Sequence, residues 1–170
     1  MATAPPIQRS SKRSAPPTLS SGDRMTQREF HRRYELLPDD QKAELIGGIV
    51  YMASPTGFPH GSYLSELNGV LSVYKAFTPG VDVASDATTI LGEYSEPQPD
   101  LSLIILPECG GRTNINHKKY LAGPPELVAE ISDSSRAIDL HLKKDDYRRA
   151  GVLEYIVLCI EKPKLHWFRL

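Results

Sequence analysis

Four ionisable residues stand out in this sequence because of their surroundings: Glu44, Asp100, Glu130 and Lys143. The three carboxylates lie in or beside apolar runs that predict β-strands. An ionised group that is buried without a partner costs several kcal/mol of stability, so such carboxylates need a compensating charge or a metal. A shared cation would account for the whole set.

Asp100 and Glu130 lie at the ends of two predicted strands. The segment Pro99–Ile105 places Asp100 directly before an apolar run, and the segment Leu127–Ser132 places Glu130 near the end of another. If these strands are neighbours, the two carboxylates converge at one edge of the sheet. Mg²⁺ prefers oxygen ligands and keeps several waters, so two or three carboxylates suit it. The pattern fits metal-dependent phosphodiester hydrolysis, in which a lysine can orient the nucleophile.

The spacing of these acids also fits other interpretations. Acids at strand ends cap helices, pair with arginines or face solvent, and the spacing alone leaves these alternatives open. The sequence contains no glycine-rich phosphate loop, no Ser-His-Asp order and no Cys/His metal spacing. Its two cysteines, Cys109 and Cys159, are too few and too isolated for a disulfide framework or a zinc cluster of thiolates.

The elements that must position these residues alternate between helices and strands. The pattern predicts three helices: one after the capping box Thr26-x-x-Glu29, one from His60, and one from a cap at Asp133 or Ser134 to about Ala150. It predicts strands at Val81–Leu91, Leu101–Leu106 and Glu126–Ile131. It also predicts a hairpin or bulge at Gly47-Gly48 within Leu45–Met52, and a hairpin of Glu154–Ile160 with Lys164–Arg169. This order predicts an α/β fold with a mixed central β-sheet flanked by helices.

The length and composition predict one folded domain. The chain has 170 residues, of which 40% are hydrophobic, and single domains usually contain about 100–200 residues. Residues 1–24 are rich in Pro, Ser, Ala and basic residues without apolar periodicity, which predicts a flexible arm before a single domain at 25–170. No run approaches the ~18 apolar residues of a membrane span. Since the N-terminus also lacks the apolar stretch of a secretory signal, we expect a cytoplasmic protein without a membrane partner.

The net charge gives no general argument for a polyanionic partner. The chain has 20 Lys and Arg against 21 Asp and Glu, so any binding of nucleic acid must use local patches. Two basic clusters are candidates: His117–Lys119, and the basic residues of the segment Arg136–Arg149. Both clusters also fit the solvated face of a loop or a helix.

Six motifs, taken in order, resemble one known family. They are Glu44-Leu45-Ile46-x-Gly48, Ser54-Pro55 followed by His60, Pro99-Asp100-Leu101, Pro125–Ser132, Asp139-x-x-x-Lys143-x-x-x-Tyr147, and Gly151-Val152-x-Glu154-Tyr155. From about residue 26 to the C-terminus, the sequence resembles the Uma-type family of restriction endonucleases, which belongs to the PD-(D/E)XK nuclease superfamily. The resemblance implies a restriction-endonuclease-like core and a site that uses Mg²⁺ or Mn²⁺. It also implies DNA as the partner and a homodimer that matches the two-fold symmetry of DNA.

The resemblance also implies roles for the four ionisable residues. Asp100 resembles the first metal-binding aspartate of the superfamily, Glu130 resembles the acid of its second motif, and Glu44 resembles an upstream accessory ligand. Ser132 stands where the superfamily lysine is expected. The basic group of this family then comes from the following helix, where Lys143 would position the attacking water.

Other residues in these motifs have structural alternatives. His60 either approaches the substrate or bonds to the loop backbone, and the structural role is favoured. Asp139 can pair with Lys143, four residues later, on the helix surface. Lys144 is the fallback for Lys143 as the basic group of the site. Tyr147 and Tyr155 are expected to be core aromatics with outward hydroxyls.

Three departures favour an alternative function. The net charge is near neutral, the lysine expected at position 132 is absent, and the chain stops at Leu170, where related sequences continue. These features would fit a catalytically silent nucleic-acid-binding or regulatory module on the same fold. A hydrolase of small phosphate esters would use the same ligands, but it would lack a groove wide enough for a duplex.

Overall fold

A five-stranded mixed sheet forms the centre of the computed structural model, which describes residues 18–170. The elements in chain order are α1 (Gln27–Tyr34), β1 (Ala43–Ile46), β2 (Ile49–Met52), α2 (Phe58–Phe77), β3 (Val81–Ser85), β4 (Thr89–Ile90), β5 (Leu101–Ile105), a 3₁₀ turn (Pro107–Cys109), β6 (Asn114–Ile115), β7 (Leu121–Ala122), β8 (Leu127–Ser132), a π-helical segment (Ile138–Lys143), α3 (Lys144–Ala150), β9 (Glu154–Cys159) and β10 (Lys164–Arg169). The central strand order is β10-β9-β8-β5-β3. The pair β8 and β9 is parallel and the other pairs are antiparallel, so the sheet is mixed as predicted.

The two faces of this sheet carry separate apolar cores. On one face, Leu101, Ala129 and Ile156 pack with Leu71 of α2. On the other face, residues of β8 and β9 pack with Tyr147 of α3. Because successive side chains of a strand point to opposite faces, Glu130 lies on the α3 side of β8. The predicted arrangement of helices flanking a central sheet is confirmed.

A smaller layer holds Glu44 in place. Strands β1 and β2 form an antiparallel hairpin whose turn is Gly47-Gly48, with φ of 56° and 80°. Two consecutive positive φ angles are what glycine allows at a tight hairpin turn. Phe30 of α1 packs with Leu45 and Val50 of this hairpin in a third core. The Thr26 hydroxyl accepts a hydrogen bond from the Glu29 N–H, so the predicted helix cap is confirmed.

Two predicted elements differ from those in the structure. The strand expected at Val81–Leu91 is divided, because Asp86 has a φ of 50° and the following β4 belongs to a three-stranded sheet with β7 and β6. The helix expected from a cap at Asp133 or Ser134 instead follows a turn, in which the Ser135 carbonyl accepts hydrogen bonds from the N–H groups of Ile138 and Asp139. Its first regular part is the π-helical segment. The predicted cap is therefore wrong.

The first described residues lie against β2. Leu19 is buried, Gly22 N–H donates to the Val50 carbonyl, and Val50 N–H donates to the Asp23 carbonyl, with N···O distances of 2.9 Å for both bonds. Residues 1–17 of the predicted arm lie outside the described residues. Among the helices of residues 18–170, none combines the length and apolar character needed to cross a membrane.

Candidate active site

Asp100 and Glu130 lie side by side at one edge of the central sheet. Strands β5 and β8 pair antiparallel with Leu101 opposite Ala129, so the residue before β5 lies beside Glu130. The Ile131 N–H donates to Asp100 Oδ2 at 2.6 Å, which ties the aspartate to the end of β8. The expectation that these two strands are neighbours is therefore confirmed.

Lys143 joins the two glutamates of the set. Its ammonium Nζ lies 3.0 Å from Glu130 Oε1 and 3.0 Å from Glu44 Oε2. Lys143 is the last residue of the π-helical segment and is 6% exposed. Segments of π-helix are frequent at functional sites. The fallback residue Lys144 lies elsewhere, with its ammonium 4.7 Å from the centroid of the Phe168 ring.

Burial and charge act together on the ionisation of this cluster. Burial raises the pKa of Glu130 well above its usual value; the Lys143 ammonium opposes this shift, whereas the Asp100 and Glu44 charges add to it. Burial alone would lower the pKa of Lys143, but the charges of Glu130, Glu44 and Asp139 outweigh it and raise that pKa. Lys143 is therefore a positively charged hydrogen-bond donor rather than a base.

Two buried tyrosines donate hydrogen bonds to residues of the site. The Tyr147 hydroxyl donates to Glu130 Oε1 at 2.7 Å, and the Tyr155 hydroxyl donates to the Asp139 carbonyl at 3.0 Å. The expectation of outward hydroxyls is wrong, because both groups find acceptors inside the fold. A buried tyrosine hydroxyl usually needs such a partner.

Glu44 is held at both of its oxygens. The Gln98 N–H donates to Oε1 at 2.7 Å, and Lys143 pairs with Oε2. Gln98 also donates through its side-chain amide to the Tyr34 hydroxyl at 2.6 Å. Gln98 was not predicted from the sequence, in which only its position two residues before Asp100 points to it.

His60 and Asp139 complete the surroundings of the four residues. His60 Nε2 lies 3.2 Å from Asp100 Oδ2, and hydrogen bonding to Asp100 raises the pKa of His60. Asp139 is buried rather than on the helix surface, where pairing was expected, and it accepts from the Ser135 hydroxyl at 2.5 Å. Burial raises the pKa of Asp139, while the Lys143 charge opposes that shift.

The donor set suits a cation bound by few protein ligands. Within residues 18–170, no group of three or more His, Cys, Asp or Glu side chains is arranged to hold a metal ion. Mg²⁺ is commonly bound through one or two carboxylates, with waters and substrate phosphate completing its shell. Both contacts of Asp100 use Oδ2, and both hydrogen bonds to Glu130 use Oε1. Asp100 Oδ1 and Glu130 Oε2 are therefore the oxygens that these donors leave for an ion.

Part of each basic cluster is engaged in ion pairs. Lys118 pairs with Glu35. Arg148 Nη2 lies 3.1 Å from an oxygen of Asp145, and Arg149 Nη2 lies 3.4 Å from an oxygen of Asp146. Both clusters thus have acidic neighbours that reduce their attraction for phosphates.

Comparisons with known proteins identify relatives of this sequence and fold. Residues 28–170 match the Uma2 family, described as "Putative restriction endonuclease". No curated protein matches the sequence. A crystal structure from Anabaena variabilis ATCC 29413, described as a putative nuclease belonging to DUF820, is similar with a TM-score of 0.58 and 14% identity over 82% of this chain and 83% of that chain. The likeness confirms the restriction-endonuclease-like fold.

Proposed function

The chain belongs to the Uma2 family, which supports a nuclease function, and we propose that it is a Mg²⁺-dependent endonuclease that hydrolyses DNA phosphodiester bonds. The observation that carries this proposal is that Asp100, before the start of β5, and Glu130, near the end of the neighbouring β8, lie close to each other, with Lys143 paired to Glu130. Paired carboxylates beside a charged lysine suit an anionic substrate only when a cation offsets their repulsion. Mn²⁺ would satisfy the same oxygen ligands.

Asp100 and Glu130 would hold the ion, and Glu44 would be an auxiliary ligand. When bound, the ion would lower the pKa of a water to supply the nucleophile and would neutralise charge on the scissile phosphate. Each oxygen of Glu44 already accepts one donor, Gln98 N–H at Oε1 and Lys143 at Oε2, which leaves Glu44 fewer free lone pairs for an ion than Asp100 Oδ1 or Glu130 Oε2. Glu44 therefore contributes less to ion binding than the other two acids.

Lys143 would position the attacking water. An ammonium has three N–H donors, and in this structure the carboxylates of Glu44 and Glu130 engage two of them. The third donor can hold the water or a phosphate oxygen. Preorganised donors of this kind stabilise the charge that develops in the transition state.

Metal-dependent nicking of plasmid DNA tests the proposal. We expect cleavage by the wild-type protein with Mg²⁺ or Mn²⁺, and loss of cleavage in Asp100→Ala and in Glu130→Ala. The matched control is Glu108→Ala, which removes an exposed acid of the 3₁₀ turn. Equal cleavage by the wild type and both site variants would contradict the proposal.

The alternative is a nucleic-acid-binding or regulatory module without turnover. The placement of Lys143 favours it, because the ammonium already compensates Glu44 and Glu130 without any metal. Titration calorimetry with Mn²⁺ separates the two functions. A nuclease site binds the ion and loses that binding in Asp100→Ala, whereas a protein that binds no ion supports the silent module.

A further inference from the structure

We propose that His60 is a positioning residue that holds Asp100 in the orientation needed for metal binding. This inference rests on the proposed metal-dependent function. It concerns a residue outside the four ionisable groups, at the start of the long helix α2.

The contacts of Asp100 show how His60 can restrict the orientation of its carboxylate. His60 Nε2 lies 3.2 Å from Oδ2, the same oxygen that accepts from the Ile131 N–H at 2.6 Å. The Ile131 N–H bond and the nearby His60 Nε2 both lie on the Oδ2 side, which restricts rotation of the carboxylate and leaves Oδ1 as the oxygen available to an ion. An aspartate held in this way binds an ion through one oxygen in a preset direction.

The buried side of the imidazole identifies which nitrogen carries the proton. His60 Nδ1 is buried and has no hydrogen-bond partner in the described part of the chain. A buried N–H donor without an acceptor is costly, so the neutral ring places its proton on Nε2, where Asp100 can accept it. The same argument disfavours Nε2 as a metal ligand, because a ligating histidine normally donates its other N–H to an acceptor.

The fold holds His60 firmly in this position. His60 lies in the first turn of α2, whose Leu64, Leu67 and Leu71 pack on the central sheet near Leu101. The side chain is 18% exposed, so water has limited access to the contact. A rigid helix can therefore transmit its position to the aspartate.

The test compares two substitutions that keep or displace the donor. In His60→Gln the side-chain amide can take the place of Nε2, whereas the shorter side chain of His60→Asn places its donor near the former Nδ1. We expect Mn²⁺ to bind His60→Asn about 10–100-fold more weakly than the wild type, and His60→Gln to retain most of the affinity. Calorimetry measures the affinity, and circular dichroism with thermal melting confirms that both variants fold.

A second measurement requires no metal. In nitrogen-15 NMR spectra of the metal-free protein above neutral pH, we expect the His60 signals of a neutral ring protonated at Nε2, shifted by Asp100→Asn. A ring protonated at Nδ1 would overturn the proposal.

Three outcomes of Mn²⁺ binding are distinguishable. If the wild type binds Mn²⁺ and His60→Asn binds it equally well, His60 is structural and this inference alone fails. Direct nitrogen coupling to Mn²⁺ in pulsed electron paramagnetic resonance, lost in His60→Asn, would make His60 a ligand and would also overturn the positioning role. If the wild type binds no Mn²⁺, the proposed function fails together with this inference.

Discussion

Lys143 and a divalent cation would compete for the same carboxylates. The ammonium lies 3.0 Å from oxygens of both Glu44 and Glu130, where it compensates their buried charge. Removing one partner of a buried pair normally destabilises a protein. Here, however, it would also free carboxylate oxygens for an ion. The loss of Lys143 should therefore reduce catalysis far more than it affects metal binding.

The substitution Lys143→Met tests this separation. We expect DNA cleavage to fall about 100-fold or more, because a donor that stabilises the transition state is lost. Mn²⁺ affinity should fall much less than cleavage, because the loss of the competing ammonium frees carboxylate oxygens and offsets the accompanying rise in the pKa of Glu130. Calorimetry and plasmid nicking measure the two effects, and Lys144→Met is the control because its ammonium lies over Phe168. Joint loss of both properties would show that Lys143 organises the ligands themselves.

The Tyr147 hydroxyl should contribute measurably to stability. Tyr147→Phe removes the 2.7 Å donor to Glu130 and leaves a buried carboxylate with one fewer partner. We expect the free energy of unfolding to fall by about 1–3 kcal/mol, as measured by urea denaturation. Tyr94→Phe, at a half-exposed position, is the matched control and should change little. A neutral effect of Tyr147→Phe would mean that water replaces the hydroxyl.

Elements with strong local signals could be predicted from the sequence, and elements set by tertiary contacts could not. The apolar spacing in α2 and the glycines at 47 and 48 encode a helix and a turn locally. The division of the strand after Ser85 depends on pairing between β4 and the distant β7. The π-helical segment likewise depends on burying Asp139 and Lys143 together, which a period of 3.6 residues does not reveal.

The same limit applies to the site. The position of Asp100 and Glu130 at the ends of two neighbouring strands could be predicted, because each carboxylate stands beside an apolar run in the sequence. The engagement of both Glu44 oxygens could not, since Gln98 is far from Glu44 along the chain. Sequence patterns therefore located the charged groups but did not reveal how their oxygens are occupied.

The β1–β2 hairpin turn should tolerate only residues that accept a positive φ. Gly47 has a φ of 56°, and a Cβ there would lie 3.4 Å from Arg149 Nη2. Since asparagine visits this region readily, Gly47→Asn should change the free energy of unfolding by less than about 0.5 kcal/mol. Gly47→Val should cost roughly 1–2 kcal/mol. Urea denaturation of both variants gives the comparison, and equal stability would mean that the turn rearranges.

Helix α1 should lose a stabilising contribution in acid. Hydrogen bonds from Arg32 and Arg33 lower the pKa of Glu29 from 4.5 to about 2. A carboxyl whose pKa is depressed by folding contributes stability above its unfolded pKa, and that contribution is lost as pH falls through the folded pKa. The melting temperature of the wild type should therefore exceed that of Glu29→Gln near about pH 5, with the difference shrinking towards about pH 2. A difference that is constant over this range would exclude Glu29 as its source.

The charge distribution of the whole chain gives the proposed site no general attraction for DNA. The chain is close to neutral, with 20 basic and 21 acidic residues. Lys118, Arg148 and Arg149 have acidic partners, while the sheet edge gathers carboxylates. A phosphate backbone would meet repulsion at that edge unless an ion bridges the two.

DNA binding should therefore depend on Mg²⁺ more than on salt. For Lys143→Met, which should bind without cutting, we expect the dissociation constant for a labelled duplex to tighten about tenfold or more on adding Mg²⁺, a change of about 1.4 kcal/mol. Its dependence on monovalent salt should be weaker than its dependence on Mg²⁺, because the ion offsets the repulsion between the carboxylates of the site and the phosphates. Fluorescence anisotropy measures both effects, and Asp100→Asn added to Lys143→Met should abolish the response to Mg²⁺. Binding that is equally tight with and without Mg²⁺ would place the DNA on another surface and favour the silent binding module.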